Sequence, residues 1–196
     1  MKRLLVWRHG QTLWNAGGRV QGHADIGLTD LGRRQAERAA QRLAVLGPTA
    51  IVSSDLSRAA DTAAALATVT GLDVRLDARL RERYYGPWQG LTGDEIGDRW
   101  PEEHTRWKAR ASDIGLDIES LDDLAKRASG GFLDAAVSGE VTVLVTHGGT
   151  ARQGCGAVLG WPDQVIRTLS GLGNCHWTEL RSDSVRGWRL WSHNVG

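Results

Sequence analysis

Short apolar runs of strand length alternate along this chain with longer segments of helical periodicity, and that alternation limits the folds open to it. RLLVW (3–7), AIVSS (50–54) and EVTVLVTHGG (140–149) are too brief for independent helices, and the last is the clearest buried strand. Segment 28–48 places Leu31, Ala39, Leu43 and Leu46 at helical spacing, with Arg and Glu on the other face. Thr29 or Asp30 is suited to cap its start, and Gly47-Pro48 stops it. Segment 55–71 reads as a second helix, with Asp55 as the expected N-cap and Gly71 closing it. DVRLDARL (73–80) is expected to be a strand leading into the turn-rich stretch 81–95, and 96–119 to hold short helices and loops. Segment 120–139 reads as a helix, although Gly130-Gly131 weakens its middle. A further helix is expected after Gly149, and then NCHWTEL (174–180) and GWRLWSHN (187–194) alternate as a hairpin would. This pattern predicts an α/β fold, a layered domain with a largely parallel central sheet.

The 196 residues suit one domain over 1–196, with an insertion of loops and short helices at about 90–119. Lys and Arg number 24 against 23 Asp and Glu, so the formal net charge is +1, which argues against nucleic-acid or anionic-membrane partners. An anion site must then come from local placement of cations. Cys155 and Cys175 are too few for a disulfide framework or a zinc site, and single buried thiols in a reduced cytosol are expected. The opening MKRLLVW is too short for a secretory apolar region and is cut off by Arg8. No stretch approaches the ~18 apolar residues of a membrane helix, so a cytoplasmic location is expected. Nine Trp stand against two Tyr and one Phe; they either fill the core or line a pocket that stacks on a sugar.

Arg8-His9-Gly10-Gln11-Thr12 and Thr146-His147-Gly148-Gly149-Thr150 share the pattern x-His-Gly-x-Thr, and each follows an apolar strand. Open α/β sheets bind ligands beyond the carboxyl ends of their strands, so the two histidines are placed to face one pocket. Phosphoryl transfer through histidine needs a neutral imidazole aimed at phosphorus, fixed donors on the phosphoryl oxygens and a proton donor for the leaving oxygen. His9 is the candidate nucleophile, and Gly10 lets the backbone come close. Arg8 and Arg58 offer forked guanidiniums, and Arg58 falls in the first turn of its helix, where an anion is favoured. Asn15 offers an amide, His147 a further donor, and Glu82 an acid for the leaving alkoxide that then serves as base toward water.

Each residue also has an ordinary explanation. Arg8-His9-Gly10 alone is a three-residue match, Arg58 could be a solvated helix arginine, and His147 a satisfied core histidine. Glu82, between Arg81 and Arg83, could be a surface ion pair worth under ~1 kcal/mol. A metal held by His9, His23, Asp25 and His147 is disfavoured, because no HxH or HxxxH pair is present and nearby arginines would repel the cation.

Taken together, these motifs resemble the histidine phosphatase superfamily, also called phosphoglycerate mutase-like, over nearly the whole chain. The opening motif stands as Arg8-His9-Gly10-Gln11-Thr12-Leu13-Trp14-Asn15, and QGHADIGLTDLGRRQA (21–36) is similar to the family's lead into its first long helix. SSDLSRAADTA carries Arg58, RLRERYYGPWQG carries Glu82, and VTHGG carries His147. The resemblance implies a three-layer α/β/α sandwich, catalysis by His9, Glu82, Arg8, Arg58 and His147, and substrate contacts from Asn15, Gln21, Gly22 and Gly148. It also implies a phosphohistidine on His9, no metal or cofactor, and a homodimer. The family's Gly-Gly-Glu-Ser is reduced here to Glu119-Ser120 without the glycine pair. Mutases of the family are usually longer in the middle; the short stretch from Gly90 to Glu119 leaves a phosphorylated His9 open to water. Hydrolysis of a small phosphorylated metabolite, of sugar-phosphate or glucosyl-3-phosphoglycerate type, is therefore the expectation. A phosphoglycerate mutase and a non-catalytic phosphate-binding module are the alternatives.

Overall fold

The computed structural model describes all residues from Met1 to Gly196. Six strands form one sheet: β1 (Lys2–Arg8), β2 (Ala50–Ser53), β3 (Val74–Leu76), β4 (Val141–Thr146), β5 (Trp177–Asp183) and β6 (Gly187–Val195). Their order is β3-β2-β4-β1-β5-β6. β1 to β4 run parallel, and β5 is antiparallel to both β1 and β6, so the expected hairpin closes one edge of the sheet. The helices are α1 (Leu13–Ala16), α2 (Asp30–Ala44), α3 (Ser57–Thr70), α4 (Gly93–Arg99), α5 (Pro101–Lys108), α6 (Leu121–Ala136), α7 (Gly148–Val158) and α8 (Asp163–Ile166).

Alternation along β1 builds the layers, because successive side chains point to opposite faces of a strand. Leu5 and Trp7 pack with α2 and α3 through Ala36, Ala40, Leu43, Ala59, Ala63 and Leu66. Leu4 and Val6 pack on the opposite face with α6 and α7 through Ala128, Phe132, Ala151 and Cys155. The result is the α/β/α sandwich with a mostly parallel sheet. Residues near 90–119 add a satellite cluster of Trp88, Ile96, Ile114 and Ile118 over α4 and α5. No helix is long and apolar enough to cross a membrane.

Three local expectations are corrected. Leu31 is 43% exposed, because the buried face of α2 is made by Gly32, Ala36, Ala39, Ala40 and Leu43. Asp55 does not cap α3: it forms a forked pair with Arg81 at 2.6 and 2.7 Å, and Asp25 Oδ1 accepts the Ser57 N–H instead. The 73–80 strand stops at Leu76, since the Asp77 side chain accepts the Arg79 N–H and starts a 3₁₀ turn over Ala78–Leu80. Thr29 caps α2, accepting the Gly32 N–H. Helix α6 continues through Gly130-Gly131, where a Cβ at Gly131 would stand 3.0 Å from Leu80 Cδ2. Most tryptophans are packing residues, with Trp7 and Trp177 in one core cluster and Trp88 in the satellite.

Candidate active site

Parallel register sets the two histidines side by side. Arg8 pairs with Thr146 across β1 and β4, and the His9 N–H donates to the Thr146 carbonyl at 3.0 Å. The rings that follow each strand have centroids 5.1 Å apart, tilted by 57°. His9 Nδ1 lies 2.7 Å from the Gly10 carbonyl. A carbonyl only accepts, so Nδ1 carries the proton and Nε2 keeps its lone pair. Burial, reinforced by the positive charges of Arg58 and Arg8, holds His9 well below the ordinary histidine pKa. The imidazole is therefore neutral at physiological pH, as a nucleophile must be.

His147 is fully buried behind His9. Its Nε2 meets Ser54 Oγ at 2.9 Å, at the end of β2, while its Nδ1 is buried without a partner. Burial and then the charge of Arg58 hold it, too, well below the ordinary value, so it is neutral in the unliganded protein. A charged His147 therefore requires an anion nearby, which would favour that form.

Arg58 enters from the first turn of α3 and is completely buried. It donates to the Ala24 and Gly22 carbonyls at 2.8 Å each, and burial pulls its pKa down to about 10. Gly22 presents its carbonyl from a φ of +55°, the left-handed region that glycine adopts freely. Arg8 donates to the Leu172 carbonyl. The Nε atoms of both arginines are buried with no protein partner. Two desolvated guanidiniums with unused donors beside a neutral imidazole form an anion site, since buried cations require a counter-charge.

Glu82 is not a surface ion pair. Arg81 is taken by Asp55, and Arg83 donates to the Glu119 and Ser112 carbonyls. The Glu82 carboxylate instead accepts from the N–H groups of Gly149 and Thr150, both at 3.0 Å, at the start of α7. Its backbone carbonyl is held by His23 Nε2 and Arg127 Nη2, both at 2.8 Å. Arg127 also donates to the Arg79 and Arg81 carbonyls and forms a forked pair with Glu119. Glu119 is thus one end of a clamp around the segment that carries Glu82, while Ser120 caps α6.

Around these groups lie two adjoining cavities. An inner one of about 170 Å³ is lined by Arg8, His9 and Arg58, with Asn15, Gln21 and Gly22 opposite and Glu82 at the margin. Thr12 fixes the amides: Asn15 Oδ1 accepts its N–H, and Gln21 Oε1 accepts its hydroxyl, leaving both NH₂ groups as donors. The outer one, about 460 Å³, shares Arg8, Glu82 and Tyr85 with the inner and includes Gly148. Trp107 is the one tryptophan on its wall. No group of three or more His, Cys, Asp or Glu side chains is arranged to hold a metal, and His23 and Asp25 are engaged elsewhere. Sequence reasoning missed Ser54, Arg127, Thr150 and, in the outer cavity, Arg83, Lys108, Arg110 and Arg152; of these only Thr150, inside the repeated motif, carried a signal.

A family model described as histidine phosphatase superfamily (branch 1) matches residues 4–195. Glucosyl-3-phosphoglycerate phosphatase of Mycolicibacterium vanbaalenii is 41% identical over 97% of this chain and 93% of its own length. Phosphoglycerate mutase-like protein 4 of Arabidopsis thaliana is 40% identical over 76% of this chain and 67% of its own. Among solved structures, a mycobacterial glucosyl-3-phosphoglycerate phosphatase in complex with VO3 superposes with a TM-score of 0.93, at 41% identity over 100% of both chains.

Proposed function

This chain belongs to the histidine phosphatase superfamily, and from that premise we propose that it hydrolyses glucosyl-3-phosphoglycerate or a closely similar phosphomonoester through a phosphohistidine on His9. The chain is a phosphatase acting on phosphate monoesters, like the relatives it matches. The observation that carries the mechanism is the neutral His9, its Nε2 unprotonated, in a chamber lined by Arg8 and Arg58.

In the first step Nε2 attacks phosphorus as the ester P–O bond breaks, and protonated Glu82 gives its proton to the leaving alkoxide. In the second, Glu82 takes a proton from water, whose oxygen attacks phosphorus as the P–N bond breaks. Inorganic phosphate leaves, with His9 neutral and Glu82 protonated again. Arg8 and Arg58 neutralise charge on the phosphoryl oxygens, Asn15 and Gln21 donate amide hydrogens to them, and His147 adds its charge once the bound anion favours that form; fixed donors of this kind each contribute on the order of 10²–10³ in rate. The substrate assignment is supported by the mycobacterial relatives. The same reading makes 1–196 one functional domain and, through family resemblance, a cytoplasmic homodimer, which light scattering on the eluted protein tests.

The testing experiment is phosphate release, with EDTA present, from glucosyl-3-phosphoglycerate, 3-phosphoglycerate, sugar phosphates and α-ribazole phosphate, with His9→Ala as blank. Turnover of glucosyl-3-phosphoglycerate above the other esters is expected. Interconversion of 2- and 3-phosphoglycerate without phosphate release would replace the hydrolase reading with a mutase.

A further inference from the structure

The outer cavity carries more positive charge than a phosphomonoester uses. Arg8, Arg83, Lys108, Arg110 and Arg152 line it, against the single carboxylate of Glu82. None of these cations pairs with a carboxylate: the ion pairs of the molecule involve other arginines. Arg8 faces the inner chamber as well, and Arg83 is spent on backbone carbonyls. Lys108, Arg110 and Arg152 are left with no role in the phosphoryl site.

Two features mark this trio as built. Arg152, on α7 one turn beyond His147, has a buried Nε with no partner; burial and the neighbouring charge of Arg110 both lower its pKa. Arg110 holds a φ of +56°, a conformation that costs a non-glycine residue, and Arg167 fixes it by donating to the Ala109 and Arg110 carbonyls at 3.3 and 3.1 Å. Keeping like charges together in a half-buried pocket is unfavourable unless an anion joins them.

The geometry points to Arg152, Arg110 and Lys108 as the specificity site for a carboxylate on the substrate, in the cavity adjoining the chamber where its phosphate sits on His9. This deepens the proposed function and rests on it: the enzyme selects phosphomonoesters of hydroxy acids over those of neutral alcohols. A forked guanidinium suits a carboxylate, and Arg8, which lines both cavities, stands between the two anions.

The test compares kcat/KM for 3-phosphoglycerate and glycerol 3-phosphate, which differ in the carboxylate. Wild-type protein is expected to prefer the acid, and Arg152→Gln and Arg110→Gln each to shrink that preference about 10- to 100-fold, the loss of a charge-assisted hydrogen bond. Lys126→Gln, the same charge change on an exposed stretch of α6, keeps the preference. A wild-type ratio within threefold of unity, or an equal loss on both esters in the arginine variants, overturns the carboxylate site and leaves the phosphatase intact. Turnover of neither ester by wild type would leave the hydrolytic reading to be tested on glucosyl-3-phosphoglycerate alone. Calorimetric binding of both to the His9→Ala protein then decides the site: tighter binding of the acid upholds it, and equal binding overturns it.

Discussion

Glu82 and Gly149 fit together without a spare ångström: the Gly149 N–H donates to Glu82 Oε2 at 3.0 Å, and a Cβ on Gly149 would stand 2.6 Å from Oε1. Alanine favours a helix interior over glycine by about 1 kcal/mol, so Gly149→Ala leaves α7 formed while displacing the carboxylate. Its activity should fall in the same pattern as that of Glu82→Gln, far more on alkyl than on aryl phosphates, because aryl leaving groups need little help from an acid. Rates that fall equally on both ester classes in Glu82→Gln would remove Glu82 from the acid role.

His9→Ala should abolish turnover, since the nucleophile itself is lost, while rapid alkaline quenching of wild type during turnover should trap phosphate on His9, because the P–N bond survives alkali and is cleaved by acid. Residual activity near wild type would falsify the covalent route.

Arg127 acts through Glu82 rather than on the substrate. Arg127→Met frees the Arg79, Arg81 and Glu82 carbonyls and strands Glu119, so kcat on alkyl phosphates should drop about tenfold or more while aryl phosphates lose less. Arg127→Lys, which keeps charge without the fork, should recover little. If both ester classes fall in parallel with thermal stability, the clamp is only structural.

Both central histidines stay neutral in the native protein well below the pH at which free histidine titrates. As pH falls below about 6.5, the unfolded chain binds protons that the native one does not, so stability present above that value is progressively lost. Each group contributes at most about 1.4 kcal/mol per pH unit in that window. Urea midpoints at pH 7.5 and 5.5 should therefore diverge, and His147→Asn should narrow the gap. Inorganic phosphate should narrow it too, because an anion in the chamber beside His9 favours the charged forms of both rings. An unchanged gap in both experiments would mean that other groups set the acid sensitivity.

Helices α6 and α7 touch where Gly154 faces Phe132; a Cβ there would lie 2.6 Å from the ring. Gly154→Ala should destabilise by about 1–3 kcal/mol, lowering Tm by several degrees, without altering KM. A variant as stable as wild type would show that the Phe132 ring can turn aside.

How far the sequence could be read depended on how local each signal was. The x-His-Gly-x-Thr repeat at the ends of β1 and β4 revealed the paired histidines, because strand register alone brings them together. The core face of α2 was misjudged at Leu31, since alanines and a glycine bury against the sheet there more closely than a leucine could. Asp55 looked like a cap until Arg81, from a distant turn, claimed it. Glu82, expected as the acid, kept a solvated ion pair as its ordinary alternative for the same reason: its flanking arginines have partners contributed by other segments. Lys108, Arg110 and Arg152 share no motif, and only the fold places them on one wall.

Strand β1 has its neighbours β4 and β5 in the last third of the chain. At 5–20 residues per second, a ribosome leaves that apolar strand without partners for roughly 7–28 s before β4 is made. The nucleophile is thus made long before β4 and β5 complete its setting. A chain that stops before Val141 carries His9 on an exposed, aggregation-prone strand, so premature termination yields no partial enzyme and makes such fragments clients for chaperones.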